Sequence, residues 1–203
     1  MVQTPTRYIT QEDFEQLCLE QPERVIERTA QGELVEMTPV GGEGSSQEAD
    51  FIIDLGNWNR KTQLGKVFSS QGAFRLPIGS TRAPDVAWVA NDRWTALAPE
   101  DRIRFPPICP DFVIELRSQS ISQGKIKPQS LDELRSRMME YVASGLRLGW
   151  LINPQDQQVE IYRAGQAVEV VAMPTVLSND SRLPLNGSRL PLNGSRLRLN
   201  DFP

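Results

Sequence analysis

Two Pro-Asp pairs each open a short apolar segment: Pro84-Asp85-Val86-Ala87-Trp88-Val89 and Pro110-Asp111-Phe112-Val113-Ile114-Glu115-Leu116-Arg117. Side chains of an extended chain alternate between faces. The second segment therefore sets Phe112, Ile114 and Leu116 on one face and Asp111, Val113, Glu115 and Arg117 on the other. With the apolar face against a core, two carboxylates and a guanidinium line up opposite it, and Asp85 joins them from a neighbouring strand. Carboxylates converging beside a cation can hold a hard divalent metal against a phosphate. The same residues can also satisfy one another, Asp85 and Glu115 forming a salt-bridge cluster with Arg117 and Arg82, and spacing alone does not separate the two readings. Asp111 is open in the same way, as an accessory ligand or as a cap on the strand that starts after Pro110.

The rest of the composition narrows the chemistry. Histidine is absent from the 203 residues, which removes Ser-His-Asp triads, histidine general bases and histidine-ligated zinc or iron. The two cysteines, Cys18 and Cys109, are too far apart for a zinc knuckle and read as buried free thiols. A net charge of −4 argues against binding nucleic acid by bulk charge, although an acidic metal site adds negative charge of its own. No apolar run is long enough to span a membrane, and the N-terminus lacks the apolar core of a signal peptide, so a cytoplasmic protein is expected.

The acids need elements to carry them. Thr10 before Glu12 and Asp13 predicts a capped helix running to about Cys18. Alternation on either side of Gln31-Gly32 predicts a hairpin, and Pro39 to Gly44 reads as a glycine-rich turn. Ser45 or Ser46 then starts a helix to about Thr62, with Ile52, Leu55 and Trp58 or Asn59 at helical spacing. Glu48 lies one turn before Ile52 on that face; it either favours the positive helix N-terminus or joins the acids. Strands flank Gly72, and the connection from Asn91 to Pro107 carries a short helix. The polar stretch Ser118–Gln129 reads as a mobile loop. Ser130 and Glu133 make a capping box for a helix that ends at Gly145, with Leu134, Met138 and Tyr141 as its stripe. Strands are expected at Leu148–Asn153, Val159–Arg163 and Val168–Met173. Interleaved helices and strands give an α/β domain with a mixed sheet over residues 1–175. A tail over 176–203 follows, in which SRLPLNG occurs twice and SRLRLND once. Its composition suggests a slippage expansion, partly disordered.

Pro84-Asp85, Glu115-Leu116-Arg117, and the later Met138-Met139-Glu140-Tyr141 with Gly149-Trp150-Leu151-Ile152-Asn153-Pro154 carry a resemblance to the Uma family of restriction endonucleases, within the PD-(D/E)XK nuclease superfamily. The resemblance covers most of residues 10–172. It implies a restriction-endonuclease-like fold, a central mixed sheet flanked by helices, here with additional N-terminal hairpin strands. It also implies that Asp85 and Glu115 bind Mg²⁺, or Mn²⁺, together with the carbonyl of Leu116, and that Glu48 is the matching early-helix acid. The superfamily's lysine falls at Arg117, and the position often lysine in Uma-type sequences falls at Arg137. Lys125 and Lys127 are the nearby lysines that could substitute. Arginine supplies charge and bidentate phosphate contacts but stays protonated and cannot act as a base.

The implied activity is metal-dependent hydrolysis of phosphodiester bonds in DNA, with Arg117 and Arg137 stabilising the developing negative charge. A second expectation is a nuclease-fold domain that has lost cleavage and serves as a binding or regulatory module. No membrane partner is expected. Self-association as a homodimer would draw on apolar surface around Trp88, Trp94 and Trp150, against core burial as the commoner fate of tryptophan.

Overall fold

A computed structural model of the chain describes residues 8–122, 125–173, 189–192 and 195–198. Thr10 accepts the Asp13 amide at 3.1 Å and caps α1, Gln11–Glu20, satisfying one of the helix's orphan donors. The predicted hairpin follows, β1 Ile26–Arg28 antiparallel to β2 Leu34–Glu36, with Gly32 at a φ of 91° in the turn. α2 spans Gly42–Thr62 and begins at a Gly41 N-cap, earlier than the expected Ser45 or Ser46. First-turn amides lack intrahelical partners in any helix, so the glycines are tolerated there. Its buried residues are Phe51, Leu55 and Trp58, with Ile52 at the edge of the core.

β3 Gly65–Ser69 and β4 Phe74–Arg75 flank Gly72, followed by β5 Thr81–Arg82 and β6 Val86–Ala90, the first Pro-Asp strand. The connection holds two short helices, α3 Asn91–Ala96 and α4 Pro99–Ile103, before β7 Phe112–Leu116, the second Pro-Asp strand. The expected mobile loop after Arg117 is instead a ribbon: β8 Gln119–Ser122 pairs antiparallel with β9 Lys125–Pro128, Ile121 opposite Ile126. The period-two patterns Ser-Ile-Ser and Lys-Ile-Lys prevail over the polar composition. Ser130 accepts the Glu133 amide at 3.4 Å and caps α5, Leu131–Ala143, and Gly145 turns the chain beyond it with a φ of 97°.

β10 Leu148–Asn153, β11 Gln158–Arg163 and β12 Glu169–Ala172 form a meander. In the repeated tail, β13 Arg189–Leu192 pairs antiparallel with β14 Ser195–Arg198. The rest of the tail, with its expected disorder and the boundary near 175, lies outside the described residues.

The central sheet has six strands in the order β12-β11-β10-β7-β6-β3. β7 and β10 run parallel and the other neighbours antiparallel, so the sheet is mixed as expected. A second sheet, β2-β1-β5-β4, carries the N-terminal hairpin. On one face of the central sheet, α2 packs Phe51, Leu55 and Trp58 against Val86, Trp88, Phe112, Ile114, Leu116 and Trp150. On the other, α5 packs Leu134, Met138 and Tyr141 against Ala87, Val89, Val113 and Leu151. β7 thus alternates as its sequence predicts, which turns Glu115 toward α5.

Trp88 and Trp150 are core residues, the latter edge-on to Phe112 with ring centroids 4.8 Å apart, so neither offers an association surface. Trp94 packs on Phe68. Both cysteines are free thiols, but only Cys109 is buried as expected, its thiol pushed up to about 12 by burial, whereas Cys18 is half-buried. No helix among the described residues is long and apolar enough to cross a membrane.

Candidate metal centre

The strands that carry the two acids part at their common end. The β6–β7 ladder stops at Val86 opposite Ile114. Next outward come Asp85 and Glu115, and then Pro84, which has no N–H to continue the ladder. Asp85 fills the gap: its Oδ2 accepts the Leu116 amide at 2.6 Å. On the far side of β7 the Arg117 amide donates to the Ile152 carbonyl at 2.8 Å. A residue's N–H and C=O leave an extended strand on the same side, so the Leu116 carbonyl looks toward the Asp85 gap.

Asp85 is partly open to solvent yet closely surrounded by protein. Burial raises its pKa well above the ordinary carboxylate value, the charges of Glu115 and Glu48 raise it further, and the Leu116 amide and Arg137 oppose them. No cation lies within ion-pair distance of Asp85 among the described residues. An acid in the field of two others, opposed only in part by the Leu116 amide and Arg137, is the electrostatic setting that a bound cation relieves.

Glu115 is 1% exposed and is held by α5. The Tyr141 hydroxyl donates to its Oε1 at 2.9 Å, and Arg137 Nη1 lies 3.2 Å from its Oε2. The other arm of Arg137 meets Glu27 Oε2 at 2.9 Å. Glu27 also takes Arg82 at 3.0 Å, and Arg82 grips Glu140 with two bonds of 2.7 Å. The result is a charge chain Glu140–Arg82–Glu27–Arg137–Glu115 between the second sheet, α5 and β7. Burial raises the Glu115 carboxyl, with Arg137 pulling it back and Glu27 pushing it up. Burial alone would lower the pKa of Arg137, but Glu115 and Glu27 more than reverse this and keep the guanidinium a cation.

The other sequence candidates are placed as follows. Glu48, on α2, accepts the Ser70 hydroxyl at 2.6 Å and contributes its charge at Asp85. Arg117 turns away from the acids: it donates to the Gln129 carbonyl at 3.1 Å, to Asn153 at 3.2 Å and to Asp156 at 3.1 Å. Asp111 is fully buried at the opposite end of β7, where it accepts the Ala90 amide at 2.9 Å and pairs with Arg93 at 2.9 Å. Of its two readings, the structural one describes it. Lys125 and Lys127 fall on β9, and their side chains lie outside what is described.

Glu115 is ion-paired to Arg137, whereas Arg117 and Arg82, the expected partners, go to Asp156 and to Glu27 and Glu140. Sequence reasoning missed Glu27 and Glu140. In a three-residue strand between Ile26 and Arg28, an acid reads as solvent-facing. Nothing local reports that the guanidinium it meets lies 55 residues away.

Three comparisons bear on this arrangement. The Uma2 family model, described as "Putative restriction endonuclease", matches residues 11–193. A crystal structure described as a "putative nuclease belonging to DUF820" from Anabaena variabilis ATCC 29413 superposes with a TM-score of 0.63 at 21% identity, covering 82% of this chain and 86% of that one. No curated protein matches. The structural likeness establishes the fold, restriction-endonuclease-like as the sequence resemblance implied.

Proposed function

The chain belongs to the Uma2 family, "Putative restriction endonuclease", and from that premise we propose that it is a nuclease hydrolysing phosphodiester bonds of DNA with Mg²⁺ or Mn²⁺. Asp85, Glu115 and the Leu116 carbonyl would hold the cation, with Glu48 as a further acid on the α2 side. The carrying observation is the Asp85–Leu116 bridge of 2.6 Å where β6 and β7 part. It brings a carboxylate with no ion pair among the described residues to the end of the strand that bears Glu115.

The donor set fits this group of cations. Among the described residues no three Asp, Glu or Cys side chains close into a ready-made cage. Calcium takes roughly six to eight oxygens, whereas magnesium keeps several waters and uses one or two carboxylates plus substrate phosphate. Two carboxylates and a carbonyl at a partly open strand end suit the second mode.

When bound, the cation supplies the charge that acidifies a water and neutralises the scissile phosphate. The chain's own residues orient and balance that charge. Tyr141 fixes Glu115 through Oε1, leaving Oε2 shared with Arg137. Arg137 stays protonated, so it accepts no proton and serves to stabilise negative charge developing on the phosphate. Arg117 fastens the exit of β7 to Asn153 and Asp156 and so fixes where Glu115 and Leu116 stand.

One observation favours a second reading, a nuclease-fold module that binds without cutting. Arg137 already sits 3.2 Å from Glu115, and Arg117 is engaged elsewhere, so neither is poised as the superfamily's lysine would be. Incubating supercoiled and single-stranded DNA with Mg²⁺ or Mn²⁺ decides between them. The nuclease reading expects cleavage by the wild type and none by Asp85→Ala or Glu115→Ala. DNA binding without cleavage would establish the module instead.

A further inference from the structure

Glu27 joins three elements from a position on β1, where it is 1% exposed. Its Oε2 meets Arg82 Nη1 at 3.0 Å and Arg137 Nη2 at 2.9 Å, while its Oε1 accepts the Ala83 amide at 2.8 Å. Ala83 stands two residues before Asp85, and the other arm of Arg137 is on Glu115. We propose that Glu27 is a positioning residue of the metal centre: it shares the Arg137 guanidinium with Glu115 and fixes the chain that delivers Asp85. What the centre is for rests on the nuclease reading above; what Glu27 does rests on this geometry.

The guanidinium is shared between two carboxylates, one nitrogen on each. Arg137 lies closer to Glu27, at 2.9 Å, than to Glu115, at 3.2 Å. A carboxylate claimed wholly by a guanidinium is a poor ligand, because the cation must displace a charge-assisted pair to reach it. With part of the Arg137 charge on Glu27, Glu115 keeps capacity for a metal. Arg82 cannot take over this role, since both its outer nitrogens are committed, one to Glu27 and one to Glu140. The same Glu27 carboxylate, through Ala83, ties the segment leading into Pro84-Asp85 to the second sheet. The N-terminal hairpin thereby becomes part of the centre, although it contributes no ligand.

Glu27→Gln tests this, because it keeps an acceptor for the Ala83 amide while removing the charge that faces Arg137. In the wild type, the Arg137 guanidinium nitrogens should show the slow rotation of a group pinned between two carboxylates in ¹⁵N NMR. In Glu27→Gln those resonances should coalesce. By calorimetry the Mn²⁺ Kd should rise about 10–100-fold, the usual cost of losing a residue that orients a metal ligand. That rise should vanish when Glu27→Gln is combined with Arg137→Gln, since the effect runs through Arg137.

Unchanged Arg137 resonances, an unchanged Mn²⁺ affinity, or the same loss in both backgrounds would overturn the proposal. Should Glu27→Gln fail to fold, Glu27→Asp retains the charge on an arm one carbon shorter, and wild-type resonances in that variant would overturn it equally. A wild type that binds no Mn²⁺ would remove the metal centre, while the Arg137 resonances would still decide whether Glu27 holds that side chain.

Discussion

Asp85 and Leu116 are joined by a 2.6 Å hydrogen bond, carboxylate to amide, at the place where their strands stop pairing. A side chain here completes a ladder that Pro84 cannot continue. The same contact turns the end of the sheet into a site, because it holds an acid beside the Leu116 backbone and next to Glu115. Like charges brought together in this way cost stability in the absence of a cation, and that cost is measurable.

Asp85→Asn should stabilise the protein at neutral pH. The folded-state pKa of Asp85 is raised by burial, Glu115 and Glu48. A raised carboxyl contributes stability that is present below its unfolded value and is lost as pH rises through the folded value. Above the unfolded value the buried carboxyl is therefore a liability that Asn removes while its side-chain oxygen still accepts the Leu116 amide. The expected gain is about 1 kcal/mol, or about 2–4 °C in Tm, and it should disappear below about pH 4. Thermal melts across pH check it; an Asn variant less stable than wild type at pH 7 would contradict the charge argument.

Arg137→Ala and Arg117→Ala should differ sharply in urea denaturation. Removing Arg137 leaves Glu27 and Glu115 buried without a shared counter-charge, a loss of about 3–5 kcal/mol. Arg117 pairs with Asp156, which is 55% exposed, so its removal costs about 1 kcal/mol. Comparable losses in the two variants would mean that the buried chain is not a unit.

Gly65→Ala should be worse than Gly149→Ala. A Cβ at Gly65 would strike the Val89 carbonyl and the Trp88 ring across the β3–β6 pair. At Gly149 it would press on the Met138 methyl, and on Leu146 and Val113 at 2.8 and 3.3 Å, all side-chain atoms with some freedom. Overpacking that side chains can absorb costs about 1–3 kcal/mol. Gly65→Ala should exceed that range, because a backbone carbonyl must move, and relative Tm values give the order.

Much of this arrangement is legible in the sequence because it follows from local rules. The alternation of Phe112, Ile114 and Leu116 predicts the buried face of β7, and Thr10 and Ser130 predict their caps. The same alternation overreaches at the strand's ends. Asp111 and Glu115 share a face, but four residues of strand separate them by roughly 13 Å, so Asp111 meets Arg93 and Ala90 instead. Arg117 lies just past β7, where the period of two no longer binds it, and it is drawn to the Asn153–Asp156 turn. The β8–β9 ribbon is hidden by its polarity, which outweighs a period-two pattern in a short window. Glu27 is the deepest omission, because its meaning comes entirely from residues that the fold brings to it.

Calorimetric titration of the wild type, Asp85→Asn and Glu115→Gln with Mn²⁺ asks whether Asp85 and Glu115 hold a cation. The wild type should bind Mn²⁺, and more tightly as pH rises, because burial raises both carboxyls and the cation competes with their protons. Both variants should lose that binding. Binding of equal strength in all three proteins, or none in the wild type, would contradict a metal centre at Asp85 and Glu115.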